Sequence, residues 1–265
     1  MAITPVDLQV TNITATSARL RWVNALQALI NSLFSASEQG AFYIPQPIVL
    51  GTQALFQDAA GTVPVTADGD PDGLMIDQSP NSNNATQSVS ADRPVYEVGS
   101  VRESLAFNGN NSALDTGVSR FIWSESWSVS IWCYFNDDSR GILLSNYEAG
   151  SSSVGLEKAA SRRLRIYYTG NSDIFTRTNV VSLNAWNHCV FVRDVLENNF
   201  RIYVDKILVL TFSGLGTFSG DGLETILMGR DIRTGNTTLN GNIGNTVIVD
   251  KVLSQLEIDN LYDFR

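Results

Sequence analysis

The stretch AWNHCVFVRD (185–194) holds the only histidine of the 265-residue chain, His188, beside Cys189, one of its two cysteines. A histidine beside a cysteine suggests nucleophilic catalysis, in which the imidazole takes the proton of the thiol. The stretch is also rich in β-branched and aromatic residues and predicts a strand, in which neighbouring side chains point to opposite faces. The two side chains then cannot bond each other. We expect a hydrogen-bonded strand-end histidine and a packed thiol.

Other nucleophilic chemistry finds no local support. His188 could activate only a serine or threonine, and no G-x-S-x-G elbow is present to supply one. The second cysteine, Cys133, lies in WSVSIWCYF (127–135), and it could bond Cys189 only if the two strands pair. Synthesis in the cytoplasm disfavours that disulfide. With no CxxC or histidine at ligand spacing, the cysteines predict neither a zinc site nor a disulfide framework.

The segment DGDPDG (68–73) begins like a calcium-binding loop, with carboxylates at Asp68, Asp70 and Asp72. An EF-hand needs an acidic residue at the twelfth loop position, which here is Ser79, so an EF-hand is excluded. A solvated turn is the plain interpretation, and a looser carboxylate cluster that holds a weak cation is the alternative. We therefore expect no cofactor, with Ca²⁺ as the one cation left open.

Charge and hydropathy exclude several partners. The formal net charge is −9, and phosphate binding needs clustered Lys and Arg, so nucleic acid is not an expected partner. The most apolar windows, such as KILVLTF (206–212), are too short to span a bilayer. The N-terminal stretch MAITPVDLQV has neither a basic nor an apolar region typical of a secretory signal, so we expect synthesis in the cytoplasm without a signal peptide.

The first 50 residues differ from the rest. VDLQVTNITATSARLRW (6–22) alternates apolar residues in two short runs, Leu8–Val10 and Ala18–Trp22, and resembles the first two strands of a fibronectin type III domain. VNALQALINSLFSASEQG (23–40) has helical spacing and predicts a helix of about 14 residues. This helix either packs on its own domain or docks in an oligomer or larger assembly. Its apolar stripe is Leu26, Leu29, Ile30, Leu33 and Phe34.

From residue 50 onward, short β-branched and aromatic runs alternate with Gly, Asn, Asp and Ser, the pattern of an all-β sandwich or jelly roll. Only SQLEIDNLYD (254–263) predicts another helix. Ser254 and Glu257 have the spacing of a capping box, and Leu256, Leu261 and Tyr262 are available for packing. The predicted strands include SLAFNG (104–109), WSVSIWCYF, GILLSN (141–146), SVGLEK (153–158), RLRIYYTG (163–170), NHCVFVRD (187–194), FRIYVDKILVLTF (200–212) and NTVIVD (245–250).

Six of these motifs stand in the order of the laminin G-like, concanavalin A-like lectin/glucanase sandwich family, over residues 74–263. Two departures are visible: Lys206 replaces the glycine of the family's "VDG" turn, and Gly244 followed by Asn245 replaces an acidic position near the family's calcium ligands. The similar segments are LMIDQSPNSNNATQ, SLAFNGNNSALDTG, WSVSIWCYF, RGILLSN, WNHCVFVRDVLENNFRIYVDKILV and ILMGRDIRTGNTTLNGNIGNTVIVDKVLSQLEIDNLY.

The resemblance implies a concanavalin A-like jelly-roll sandwich with an N-terminal extended and helical appendage and a short C-terminal helix. Residues 1–50 would form an anchoring or oligomerisation segment and 51–265 the jelly-roll domain. Glycosidases of this family carry two glutamates on one strand, whereas Glu157, Glu197 and Glu224 are isolated here, so we do not expect an enzyme. In the family fold, a glycan site would draw on aromatic and polar side chains near strand ends: Trp123, Tyr147, Tyr167, Arg230, Asp231 and Arg233.

ALFQDAAGTVPVTADGDPDGLMIDQS (54–79) resembles a lead-in found in phage and prophage virion proteins that carry this sandwich. We therefore expect a non-enzymatic virion protein of a bacteriophage, a homotrimer whose N-terminal segment binds other virion proteins. In the first alternative it is a tail-fibre or tail-associated adhesin that binds host surface glycans. In the second it is a capsid decoration or cement protein with no specific ligand.

Overall fold

The computed structural model describes residues 15–119, 125–146, 154–168, 173–213, 224–231 and 237–264, and of 15–21 and 168 the backbone alone. The α-helices there are α1 (Ala15–Leu33) and α2 (Gln255–Asp263), and a short 3-10 helix spans Ser90–Asp92. The strands are β1 (Gly40–Tyr43), β2 (Ile48–Val49), β3 (Thr52–Gln53), β4 (Leu55–Phe56), β5 (Leu74–Met75), β6 (Ala85–Thr86), β7 (Val95–Val98), β8 (Glu103–Asn108), β9 (Leu114–Asp115), β10 (Trp127–Phe135), β11 (Gly141–Asn146), β12 (Val154–Ala159), β13 (Arg163–Tyr168), β14 (Ile174–Phe175), β15 (Trp186–Asp194), β16 (Asn199–Val204), β17 (Ile207–Ser213), β18 (Ile226–Met228), β19 (Arg230–Asp231), β20 (Thr237–Thr238) and β21 (Asn240–Val249).

Two large antiparallel sheets form the body of the protein. The first has the strand order β17-β16-β15-β10-β21-β8-β7, with β1 added along the second half of β21. The second has the order β14-β13-β12-β11-β18-β9-β6-β5-β4. The short pairs β2–β3 and β19–β20 lie outside both sheets. This arrangement confirms the predicted all-β sandwich of jelly-roll type.

The main core lies between the two sheets because side chains alternate along each strand. On β10, Val129, Ile131 and Cys133 belong to this core. Ser130 and Trp132 therefore point to the outer face of the first sheet, where they contact His188 of the neighbouring β15. Both faces of the first sheet are thus packed at its centre, which is why β10 and β15 are buried along nearly their whole length.

The five stripe residues, four of them in α1 and Phe34 directly after it, are all buried against this outer face. They pack on alternate residues of β15 and β21, among them Val190, Val192, Val247 and Val249. Of the two alternatives left open by the sequence, the structure has the helix packed on its own chain. With these side chains buried, attachment to another subunit would have to use different surfaces of the helix.

The N-terminal boundaries differ from the sequence-based expectation in two ways. Ala18–Trp22, expected to be extended, lies inside α1, while Leu8–Val10 lies outside the described residues. The helix ends at Leu33 and is 19 residues long, longer than expected, because the apolar positions before residue 23 also suit a helix. Gly40 opens β1: its φ is 138°, and a Cβ there would lie 1.9 Å from the Ile248 carbonyl oxygen. A strand within residues 1–50 therefore belongs to the sandwich.

Two local predictions concern turns and caps. The Ser254 hydroxyl accepts from the Glu257 amide and Glu257 bonds back, which confirms the capping box of α2. Leu261 is buried, but Leu256 is 69% exposed, so its predicted packing is wrong. The turn between β16 and β17 has φ of 48° at Asp205 and 72° at Lys206, the backbone of a type I′ hairpin. This is how the chain makes the turn without the family's glycine.

Candidate functional site

Of the six predicted glycan residues, the structure describes Tyr167, Arg230 and Asp231, and it brings Tyr167 and Asp231 together. Trp123, Tyr147 and Arg233 lie outside the described residues. The Tyr167 hydroxyl donates to Asp231 Oδ2 at 2.6 Å, and both residues are buried, so this pair is an internal contact. Arg230 is partly buried and lies 3.4 Å from Asp92 Oδ2. Glycan binding by this set stays a prediction.

The three aspartates of DGDPDG do not converge on a shared point. Asp70 accepts from the Thr66 and Ala67 amides, which lowers the pKa of its carboxyl, and Asp68 accepts from the Val98 amide. Asp72 is buried, and burial raises the pKa of its carboxyl well above the usual range. Among the described residues no group of three or more His, Cys, Asp or Glu is arranged to hold a metal ion. Asp68, Asp70 and Asp72 are therefore not grouped as the looser cation cluster would require, and binding of Ca²⁺ elsewhere stays a prediction.

His188 and Cys189 point to opposite faces of β15, as predicted. The Cys189 sulfur lies in the main core, 3.5 Å from that of Cys133, and both thiols are free. His188 Nε2 lies 2.7 Å from the Ser130 hydroxyl on the outer face, under Trp132. The ring is fully buried, and burial lowers its pKa to about 3. A serine–histidine pair that no substrate can reach is a structural contact.

An open groove lies further along the same outer face, where the helices do not cover it. Tyr134 of β10 stands directly opposite Trp186 of β15, and their rings meet edge to face with centroids 5.7 Å apart. Both rings are partly exposed. The groove has a volume of about 680 Å³. The turn between β7 and β8, which ends at Arg102, forms one of its walls.

Planar polar groups surround the two rings. The amides of Asn136, Asn184 and Asn242 line the groove together with Glu97. Asn242 Nδ2 donates to the Glu97 carboxylate at 2.7 Å, which orients both side chains. We name the set of Glu97, Arg102, Tyr134, Asn136, Asn184, Trp186 and Asn242 the aromatic groove.

Arg102 is held beneath the groove by stacking. Its guanidinium carbon lies 3.8 Å from the centre of the Trp132 ring and 5.4 Å from that of Trp186, and the residue is 8% exposed. Such cation–π contacts stabilise a buried guanidinium and keep the adjacent indole rings in place. Trp186 is therefore a pre-positioned surface, because its ring is fixed from below by Arg102 and from the side by Tyr134.

None of the predicted glycan residues belongs to the aromatic groove, although both sets combine aromatic rings with planar polar groups. The alternation of side chains along WSVSIWCYF places Tyr134 on the same face as the polar residues Ser128 and Ser130. Those polar residues mark this face as the outer face of the sheet. Trp186 shares a face with His188 by the same rule.

The fold of this chain recurs in carbohydrate-active proteins, although no curated protein sequence matches it. Domain 4 of AbnA, an extracellular GH43 arabinanase of Geobacillus stearothermophilus solved with arabinotriose, has a TM-score of 0.56 and 13% identity over 85% of this chain and 99% of its own. Trypanosoma rangeli sialidase, with the inhibitor DANA, has a TM-score of 0.56 and 16% identity over 94% of this chain. The match covers 39% of that enzyme.

The CBM40 domain of Ruminococcus gnavus IT-sialidase has a TM-score of 0.50 and 14% identity over 58% of this chain and 94% of its own. At such identities the likeness concerns the fold. The family model described as the concanavalin A-like lectin/glucanases superfamily matches residues 108–259, more than half of the chain. The motifs that pointed to this sandwich are thereby confirmed, and the protein belongs to the concanavalin A-like lectin/glucanase superfamily.

Proposed function

We propose that this protein is a non-catalytic carbohydrate-binding module and that the aromatic groove is its ligand site. The observation that carries the proposal is the fixed, partly exposed Trp186–Tyr134 pair at the floor of an open groove. Sugar rings have apolar C–H faces that stack on aromatic rings, and their hydroxyl groups exchange hydrogen bonds with planar amides. Support from the fold comes from AbnA domain 4, a structure that contains arabinotriose.

The charges of the groove favour binding over hydrolysis. Glycoside hydrolysis by the usual mechanisms needs two carboxyl groups across the scissile bond. Within the described lining of the groove, Glu97 is the one carboxylate, and it is bonded to Asn242. Arg102 is engaged by two indole rings. This arrangement suits binding of a glycan without hydrolysis.

A glycan array tests the proposal. Wild-type protein should bind at least one glycan, and Trp186→Ala should weaken that binding about 10- to 100-fold, the equivalent of about 1.5–3 kcal/mol for one buried aromatic ring. Leu196→Ala is the matched control, because Leu196 is 94% exposed on a distant turn. Unchanged binding by Trp186→Ala would remove the groove from consideration. Absence of any binding by the wild type would favour a structural role.

For the biological setting, we propose a bacteriophage virion protein, a tail-associated adhesin that presents the groove to host surface glycans. The support is the sequence resemblance of residues 54–79 to virion proteins. No helix among the described residues is long and apolar enough to cross a bilayer. Quantitative mass spectrometry of purified particles tests the setting: a few copies fit a tail protein, and hundreds fit a capsid decoration. Complete absence from the particles would refute both.

A further inference from the structure

A second cavity lies on the other side of the turn that walls the aromatic groove. The turn joins β7 to β8, and its residues Gly99, Ser100, Val101 and Arg102 line both cavities. The second cavity has a volume of about 310 Å³, at the lower limit for a small-molecule site. The two spaces are therefore neighbours across one short turn.

Trp22 of α1 provides an aromatic wall in the second cavity. Its ring is partly exposed and stacks on Phe264, with centroids 5.9 Å apart and an interplanar angle of 28°. Phe264 in turn meets Phe42 edge to face. Trp22 is thus held in place by Phe264, the residue directly after α2, which itself packs on Phe42 of β1.

The remaining lining repeats the chemistry of the aromatic groove. Gln46 and Asn245 place side-chain amides in the second cavity, and both residues are partly exposed. Val98, the last residue of β7, is 57% exposed and Val101 is 64% exposed, and the exposed Gly99 and Ser100 lie between them. The Glu103 carboxylate also lines the cavity and accepts a hydrogen bond from the Tyr96 hydroxyl. An aromatic ring with two amides and one engaged carboxylate suits a sugar chain better than an ion or a lipid.

We propose that the ligand is an oligosaccharide long enough to cross the turn, and that the second cavity is a further subsite in which Trp22 stacks on one of its sugars. This inference rests on the proposed function, because it extends the same ligand beyond the aromatic groove. It also assigns a binding role to the N-terminal helix, whose apolar stripe is used in packing. The chemical class is a chain of linked sugars, as opposed to a single terminal sugar.

The test measures affinity against chain length. Cello-, xylo-, arabino- and N-acetylchito-oligosaccharides of one to six sugars are titrated calorimetrically into the full chain. In the series that binds, affinity should rise about tenfold or more, about 1.4 kcal/mol, between two and four sugars. Trp22→Ala should remove most of that rise and leave the affinity for one or two sugars unchanged. Trp186→Ala should weaken binding at every length.

Asn245→Ala is the second variant, because Trp22→Ala also removes the contact with Phe264. It should reduce the length-dependent gain in the same direction, with an unfolding midpoint equal to that of the wild type. The inference is overturned if affinity is independent of length, or if both variants keep the wild-type gain. In either case binding through Trp186 would leave the proposed function standing. If no series binds, both fail together.

Discussion

Acidification acts on this protein through the buried ring of His188. The ring lies between Trp132 and Tyr262, and burial, with a smaller effect of the charges of Arg102 and Lys206, lowers its pKa to about 3. In the unfolded chain the histidine pKa is about 6.5. As the pH falls, the unfolded state therefore binds the proton first. Stability is lost from about pH 6.5 down to about pH 3, and above that range the residue has no linked effect.

The magnitude follows from the two pKa values. Between pH 7 and pH 5 the linked loss in the free energy of unfolding is about 2 kcal/mol, and by pH 4 it reaches about 3 kcal/mol. Burial raises the pKa of Asp72, Asp77 and Asp205, and a carboxyl with a raised pKa contributes in the opposite direction on acidification. The pH profile of the wild type alone is therefore a sum of opposing contributions.

The difference in the free energy of unfolding between the wild type and a His188 variant isolates the contribution of the histidine. Urea unfolding is measured at pH 7, 6, 5 and 4 for the wild type and for His188→Gln, whose amide can still bond the Ser130 hydroxyl. The wild type should lose about 2 kcal/mol more than the variant between pH 7 and pH 5. Parallel profiles for the two proteins down to pH 4 would refute the reasoning, because they would mean that His188 is protonated equally in both states.

Two further substitutions test the packing and the hairpin. Leu33→Ala should lower the free energy of unfolding by about 2–5 kcal/mol in urea titrations, because Leu33, the last residue of α1, is fully buried. Leu256→Ala, at a 69% exposed position of α2, should change it by less than about 0.5 kcal/mol. Equal effects would contradict the packing of α1. In thermal unfolding, Lys206→Gly should be more stable than Lys206→Ala by about 1 kcal/mol. Both variants lose the ion pair with Asp263, but only the alanine variant retains the conformational cost of a φ of 72°. An alanine variant of equal or higher stability would contradict the strained turn.

Structural features that depend on residues close together in the chain could be predicted from the sequence. The capping box at Ser254 and Glu257 is a local signal, and it predicted α2 to within one or two residues. The separation of His188 from Cys189 follows from strand parity alone. The start of α1 was mistaken because Ala18, Leu20 and Trp22 satisfy two periods: they alternate like a strand, yet Ala18 and Trp22 are also four apart, as on one face of a helix.

The aromatic groove was beyond local reasoning. Tyr134 and Trp186 become neighbours only through the pairing of β10 with β15, and Glu97 joins them because β21 and β8 bring β7 to the same face. No short stretch of sequence contains that strand order. The exposure of these rings depends in addition on where α1 and α2 stop covering the sheet, which is a property of the assembled fold.

The strand β1 has a consequence for the order of events during synthesis. Its whole length pairs with β21, and the amide of Gln39 next to it bonds the carboxylate of Asp250, a residue 211 positions later in the chain. The apolar stripe of α1 packs on the same late strand. The segment that leaves the ribosome early therefore waits, with its apolar side chains uncovered, until nearly all of the sandwich has been made. We expect such long-range closure to slow folding and to leave the nascent chain prone to aggregation until the closure is complete.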